Sequence, residues 1–229
     1  ELYEPFTSLV APKLYTLYLE AGSPERARAY RQERPMPPGF ASQLVYVRYL
    51  IRETADDDRW GTYRLFDLGF SLCNQIVGQP HLWPKGLPIA EELHRRAVSI
   101  ADRGRQAGAL YYRALFHLHA DQVDQAILRA RECVSLCESQ PSLPRAKLAK
   151  ALTVLGHGLH DKRDLNAAKS CFERALAIRE KVLGRDHPDT ATSLNNLGLL
   201  LQDLGDLAGA RPYYERALTI HEAVLGPEY

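Results

Sequence analysis

The stretch CFERALAIREKVLG at 171–184 returns as YYERALTIHEAVLG at 213–226, 42 residues further on. A motif repeated at a fixed period of this size is one supersecondary unit that cannot bury its apolar face alone and so stacks on copies of itself. Laying 151–184 over 193–226 places Leu155-Gly156 on Leu197-Gly198, Leu159 on Leu201, Ala168 on Ala210, Ala175 on Ala217 and Ile178 on Ile220. Small and apolar positions hold while polar ones drift, which is the signature of preserved packing. Within the unit, apolar residues recur at helical spacing, as in Leu194, Leu197 and Leu201, then Tyr214, Ala217, Leu218 and Val224, so each unit reads as two amphipathic helices in series. In GDLAGA (205–210) Gly205 is suited to end the first helix in the left-handed conformation and Asp206 to cap the second. HPDTA (187–191) opens the next unit, with Pro188 stopping the preceding helix and Asp189 or Thr190 as its N-cap.

One period earlier, Ala168 maps onto Ala126 and Ala175 onto Cys133, so a third, degenerate unit precedes these two, with Ala114 where the others carry Gly. Before it, LGFSLCNQ (68–75) and IAEELHRRAVSIAD (89–102) have the same two-helix content, separated by a nine-residue insertion. The lengthened stretch between them contains QPHLWPKGLP (79–88), read as a Pro/Gly-punctuated loop whose Trp83 either serves a working surface or plugs the end of a helix pair. LYLEAGSPERARAY (17–30) suggests one more helix-turn-helix, RPMPPGF (34–40) cannot be helical, and FASQLVYVRYLIRETA (40–55) reads as an amphipathic helix. The expected organisation is therefore an N-terminal pair and Pro-rich linker over 1–39, degenerate helical repeats over 40–106, and three 42-residue repeats over 107–229, about eleven helices in all. Nothing shows the alternation of a β-hairpin.

The residues Gly198, Gly205, Ala210, Tyr214 and Ala217 resemble the signature of the tetratricopeptide repeat, and the longer period with its LNNLG and VLG..HPDT phrases is similar to the repeats of kinesin light chains and of many bacterial multidomain proteins. The resemblance implies an all-α fold, a right-handed α-solenoid of stacked antiparallel helix pairs whose first helices line a concave groove. It also implies a non-catalytic, cytoplasmic interaction module that takes a peptide or partner domain in that groove. The alternative it leaves open is a sensor or autoinhibitory array behind the nucleotide-binding domain of a STAND-type signal-transduction ATPase. With the Leu-Gly pair as anchor, the groove would be lined by Tyr111, Leu115 and Leu118, then Thr153, His157 and His160, then Asn195, Leu199 and Gln202. The Asn195 amide matches a position where such repeats offer a donor and an acceptor to a ligand's peptide group, or else Asn195 or Asn196 satisfies a neighbouring helix end. Arg179 and Glu222 are placed on the outward side.

Composition narrows the remaining classes. Lys+Arg 29 against Asp+Glu 28 gives a net charge of +1, so no global field draws the chain to nucleic acid or to an anionic membrane. No apolar run approaches the ~18 residues of a membrane span. Cys73, Cys133, Cys137 and Cys171 show no C-x-x-C spacing, which argues against a zinc ribbon and fits a reducing, cytosolic setting. His157 and His160, one turn apart, and His117 and His119 lack the carboxylate spacing of a metal motif, so neither a metal nor a cofactor is expected. Arg95, Arg96, Arg103 and Arg105 share their face with Glu91, Glu92 and Asp102, a charge-balanced solvated surface. No nucleotide loop, nucleophile elbow or paired-carboxylate motif suggests an enzyme. The start at Glu1 and the stop after VLG read as a piece of a longer array, able to self-associate through its uncapped last helix.

Overall fold

The turns between paired helices show how the period becomes structure. Asp121, Arg163 and Gly205, each 42 residues from the next, adopt φ of 59°, 64° and 81°. The following amide in each case reaches back to the carbonyl five residues before it: Gln122 to His117, Asp164 to Leu159 and Asp206 to Leu201, all at 2.9 Å. This left-handed residue with its long back-bond closes a helix C-terminus in two residues and lets the chain reverse. The incoming helix is then capped by a side chain, Asp164 accepting from the Ala167 amide at 3.2 Å and Asp206 from Gly209 at 2.8 Å.

The structure, a computed structural model, describes residues 40–54 and 59–225. The helix pair expected over 17–30 and the Pro-rich stretch before Phe40 lie outside the described residues. The chain divides into two compact units at Gln79/Pro80, within the segment 40–106. In the first, α1 (Phe40–Glu53) packs on α2 (Arg59–Val77), and Leu44, Val47, Leu50, Leu65, Phe66, Leu72 and Ile76 are buried. The second holds α3 (Trp83–Ser99), α4 (Arg103–His119), α5 (Val123–Ser139), α6 (Arg145–Asp161), α7 (Leu165–Leu183), α8 (Pro188–Asp203) and α9 (Leu207–Leu225). Each packs on its neighbours in sequence, and α4 also reaches α6, the contact between successive first helices that makes an all-α repeat solenoid. All regular structure among the described residues is helical.

One core runs through α4 to α8, built from Leu110, Ala130, Leu148, Leu152, Leu155, Phe172, Leu197 and Leu200 among others. Its closest approaches use glycine. A Cβ at Gly156 would lie 2.5 Å from the Phe172 ring, and one at Gly198 would lie 2.8 Å from Tyr214. In the degenerate repeat the equivalent pair is Ala114 and Ala130, both fully buried. A small residue gained a methyl where its partner lost a ring, so the helices still meet.

Two expectations need correction. The segment 79–88 is not a loop: a 3-10 turn at Pro80–Leu82 leads directly into α3 at Trp83. Pro84 lies in the first turn of that helix, where its missing N–H costs nothing, and Pro88 stands on an exposed side. Gly86 sits so close to Phe116 that an added Cβ would be 2.4 Å from its ring. Packing of this helix against α4 therefore overrides the local breakers. Trp83 stacks on His119 with ring centroids 3.7 Å apart. At 187–191 the N-cap of α8 is His187, whose Nδ1 accepts from the Asp189 amide at 3.0 Å, rather than Asp189 or Thr190. Thr190 is instead buried and donates to the Gly184 carbonyl at 2.8 Å.

Candidate functional site

Positions one period apart share their depth, and this defines a face. In α4, α6 and α8, Ala107, Ala149 and Ala191 are buried, as are Leu110, Leu152 and Leu194, and Ala114, Gly156 and Gly198. Between them Tyr111, Thr153 and Asn195 are half-buried, as are Leu115 and His157, with Leu199 in the same register 47% exposed. Leu118 and His160 are half-buried and Gln202 is exposed. The residues singled out from the Leu-Gly anchor thus form the least buried stripe of the three first helices, the side that packing leaves over.

Some of these side chains are already engaged. Thr153 Oγ1 donates back to the Ala149 carbonyl at 2.9 Å, and the Gln202 carbonyl accepts from the Tyr214 hydroxyl at 3.1 Å. His160 Nε2 lies 2.5 Å from Asp203 Oδ2, which ties α6 to α8. Others have nothing to bond. Among the described residues the Tyr111 hydroxyl, the His157 ring nitrogens and the Asn195 amide have no hydrogen-bond partner, yet none of these atoms is sealed from solvent. Asn196, by contrast, holds its amide nitrogen buried without a partner. His157 sets its ring edge-on to Phe172, centroids 5.1 Å apart. Burial foremost, with His160, His119 and Arg179 adding to it and Asp161 opposing, holds the imidazole below the ordinary histidine value. Burial likewise raises the Tyr111 phenol, against the charge of Arg179.

Arg179 does not face outward as its place in the polar part of a second helix suggested. It is 7% exposed and donates from Nη1 to Ser193 Oγ across to α8. Its register explains this, because one period earlier stands Cys137, which is also buried. The helical position was packed before the arginine occupied it. Arg179, Ser193 and Asp189 are thus functional candidates that the first-helix pattern alone did not reach.

The other clusters resolve into structure. Glu92 accepts from Arg95 and Arg96, each at 2.7 Å, and Asp102 pairs with Arg105 at 2.6 Å. Arg96 is buried, however, and Arg103 and Arg105 lie on α4 rather than beside Arg95 on α3, so the segment is not the single solvated face expected. All four cysteines are buried and free, and Cys133 Sγ donates to the Ala107 carbonyl at 3.2 Å. His117 bonds Gln122 at 2.7 Å. Among the described residues no group of three or more His, Cys, Asp or Glu side chains could hold a metal ion, and no helix is long and apolar enough to cross a membrane.

Comparison with known proteins agrees with this geometry. The tetratricopeptide repeat family model matches residues 147–223, which run from α6 through α9. Curated proteins give no match to the sequence. Among solved structures, a Podosopora anserina protein with nearly identical TPR-like repeats of kinesin-light-chain type has a TM-score of 0.60 at 13% identity, over 98% of this chain and 99% of that one. BtubC from P. vanneervenii gives 0.57 at 18% identity, over 97% and 91%. A Rap protein, solved in complex with Competence and Sporulation Factor, gives 0.59 at 14% identity over 94% of this chain and 66% of its own. Identities this low establish shared fold alone. With the repeat model matched where the period is most regular, and helix pairs stacked as those relatives stack theirs, residues 147–223 are tetratricopeptide repeats and the chain shares the repeat-solenoid fold of those proteins.

Proposed function

We propose that this chain is a non-catalytic interaction module that binds an extended peptide or partner segment along the first-helix face of α4, α6 and α8. The observation that carries the reading is the set of unspent polar groups on that face: Tyr111, His157 and Asn195 are partly withdrawn from water and bond nothing in the protein. A half-buried donor or acceptor left open is costly unless a ligand or water meets it, and a peptide backbone supplies both kinds of partner at regular spacing. Leu199, 47% exposed beside them, adds apolar area that such a segment would cover. The likeness to a Rap protein solved with a bound factor supports a ligand of this general kind.

Selection of displayed random dodecapeptides on the folded protein tests this. Enriched peptides should lose about tenfold or more in affinity to a variant carrying N195A and L199A. They should bind a variant carrying E173A and E222A, both on exposed sides of second helices, as well as the parent. Equal losses with the two variants would remove the first-helix face as the site.

A further inference from the structure

We propose that the seam between α3 and α4 is an acid-sensitive joint, in which a proton taken up by His94 breaks its bond to Arg113 and loosens α3 from the repeats that follow. The inference is independent of peptide binding and starts from an apolar register given over to charge. In the later pairs the places of Arg113 and Arg129 are held by Leu155 and Cys171, both buried, and by Leu197 and Tyr213, both packed in the core. Here two half-buried guanidiniums stand instead, each with its Nε–H sealed from solvent and unbonded. A buried donor without an acceptor weakens the fold where an apolar pair would strengthen it, so this seam depends on the few polar bonds that cross it.

His94 on α3 supplies one of those bonds, its Nδ1 lying 3.0 Å from Arg113 Nη1 on α4. A guanidinium only donates, so Nδ1 accepts and the ring proton resides on Nε2. A second proton must enter at Nδ1, which removes the acceptor and sets an imidazolium against a guanidinium. The neighbours do not relieve that contact. From α5 comes the charge of Glu132, but both its oxygens already accept from Arg129 Nη1, at 2.6 and 2.8 Å, and Arg129 brings a second cation. On α3 itself Glu91 is exposed and Glu92 accepts from Arg95 and Arg96. Among the described residues no carboxylate lies within ion-pair distance of His94. Burial first, then Arg113, with Arg129 adding and Glu132 opposing, accordingly holds this imidazole below the ordinary histidine value. The neutral ring closes the seam; its contribution is complete above about pH 6.5 and is lost as pH falls from there through the folded value.

Amide hydrogen exchange over α3, residues 83–99, reads the opening of the seam when expressed as protection factors, which cancel the intrinsic pH dependence of exchange. In the parent, protection of α3 should fall at least about threefold between about pH 7.5 and about pH 5. H94N keeps an acceptor near the place of Nδ1 and takes up no proton, so its fall should be less than about half the parent's. His119, stacked on Trp83 and also held below the ordinary value by burial, is unaltered in H94N, so this variant separates the two histidines. R113L installs the leucine of the later repeats and removes the cation, and it too should blunt the acid response, whatever its stability near neutral pH. Each variant is compared with itself at the two pH values, so a general loss of stability does not imitate the result. A smaller fall in the parent, or a fall as large as the parent's in H94N or R113L, would overturn the joint.

Discussion

The glycine at position 156 allows the helix pair α6 and α7 to close, and a double-mutant cycle with Phe172 measures how much. Phe172 is buried and its ring rests where a Cβ on Gly156 would sit, 2.5 Å from Cε1 and 2.7 Å from Cδ1. No carbon reaches that distance without movement, and the ring is boxed in by the core. Forcing a methyl into such a site costs about 1–3 kcal/mol, whereas the same change at an open helical position stabilises by about 0.5–1 kcal/mol. G156A should therefore be destabilising, by about 1–2 kcal/mol net. F172A alone leaves a cavity and should cost about 3–5 kcal/mol.

The double variant recreates the pair that the degenerate repeat already uses, Ala114 facing Ala130. With the ring gone, the new methyl meets no obstacle and keeps its helix-forming benefit. The combined loss should fall short of the summed single losses by about 2 kcal/mol, which is the signature of a direct contact. Urea unfolding followed by helical circular dichroism at equilibrium gives all four stabilities. G104A serves as the control, since its Cβ would meet nothing nearer than 3.4 Å. Additive losses to within about 0.5 kcal/mol, or a stabilising G156A, would refute the account.

The turn register makes a second forecast: R163G, at φ 64°, should gain up to about 1 kcal/mol, while G205A, at φ 81°, should lose about 1 kcal/mol, both read by the same unfolding assay. Because folding depresses the His157 pKa, the neutral ring is the form the fold prefers; its contribution is complete above about pH 6.5 and is lost as pH falls from there through the folded value. Stability measured at about pH 7.5 and about pH 5 should therefore drop less in H157Q than in the parent, and an unchanged drop would show that the ring is not desolvated. Leu218 is 54% exposed whereas Leu176, one period earlier, is packed into the core, so L218K should cost under about 0.5 kcal/mol and L176K about 2 kcal/mol or more.

The periodicity made the three later helix pairs legible, along with their turns and the stripe of positions that includes Tyr111, Thr153 and Asn195. These follow from spacing alone, because a residue 42 places on occupies the equivalent position within its own helix pair. Features decided by a single tertiary contact were not legible. Residues 83–88 carry Pro84, Gly86 and Pro88, a local pattern that reads as loop, yet they are helical and Gly86 fits closely under Phe116. His187 as an N-cap is another such case, since a ring nitrogen is an uncommon acceptor there. Arg179 was misplaced because residue type was weighed above register. Its charge argued for solvent, while Cys137 at the equivalent place argued for the interior. The packing position decided the matter, and the long aliphatic stem allowed the arginine to occupy it.

Burial in such an array belongs to a position together with whatever stacks on it, and the last pair shows the difference. Leu165 and Leu176 on α7 are half-buried and packed against the core, while their counterparts Leu207 and Leu218 on α9 are 67% and 54% exposed. Val154 is buried, yet Asn196 in the same register is only half-buried, with its amide nitrogen unbonded. The residue types on α7 and α9 are nearly the same, so intrinsic hydrophobicity cannot account for the change. What differs is α8, which lies over α7 and presents Ala191 and Leu194 to it, while no described element lies over α9 in that way. Apolar area held in the register of a stacking face lowers the free energy only when a matching helix covers it, at roughly 25 cal/mol per Å2. Leu176 and Leu218 are therefore a matched pair in which sequence and register are constant and only the cover varies. The difference between L176K and L218K measures the cover itself, and equal costs at the two sites would mean that stacking contributes nothing to the stability of the repeat.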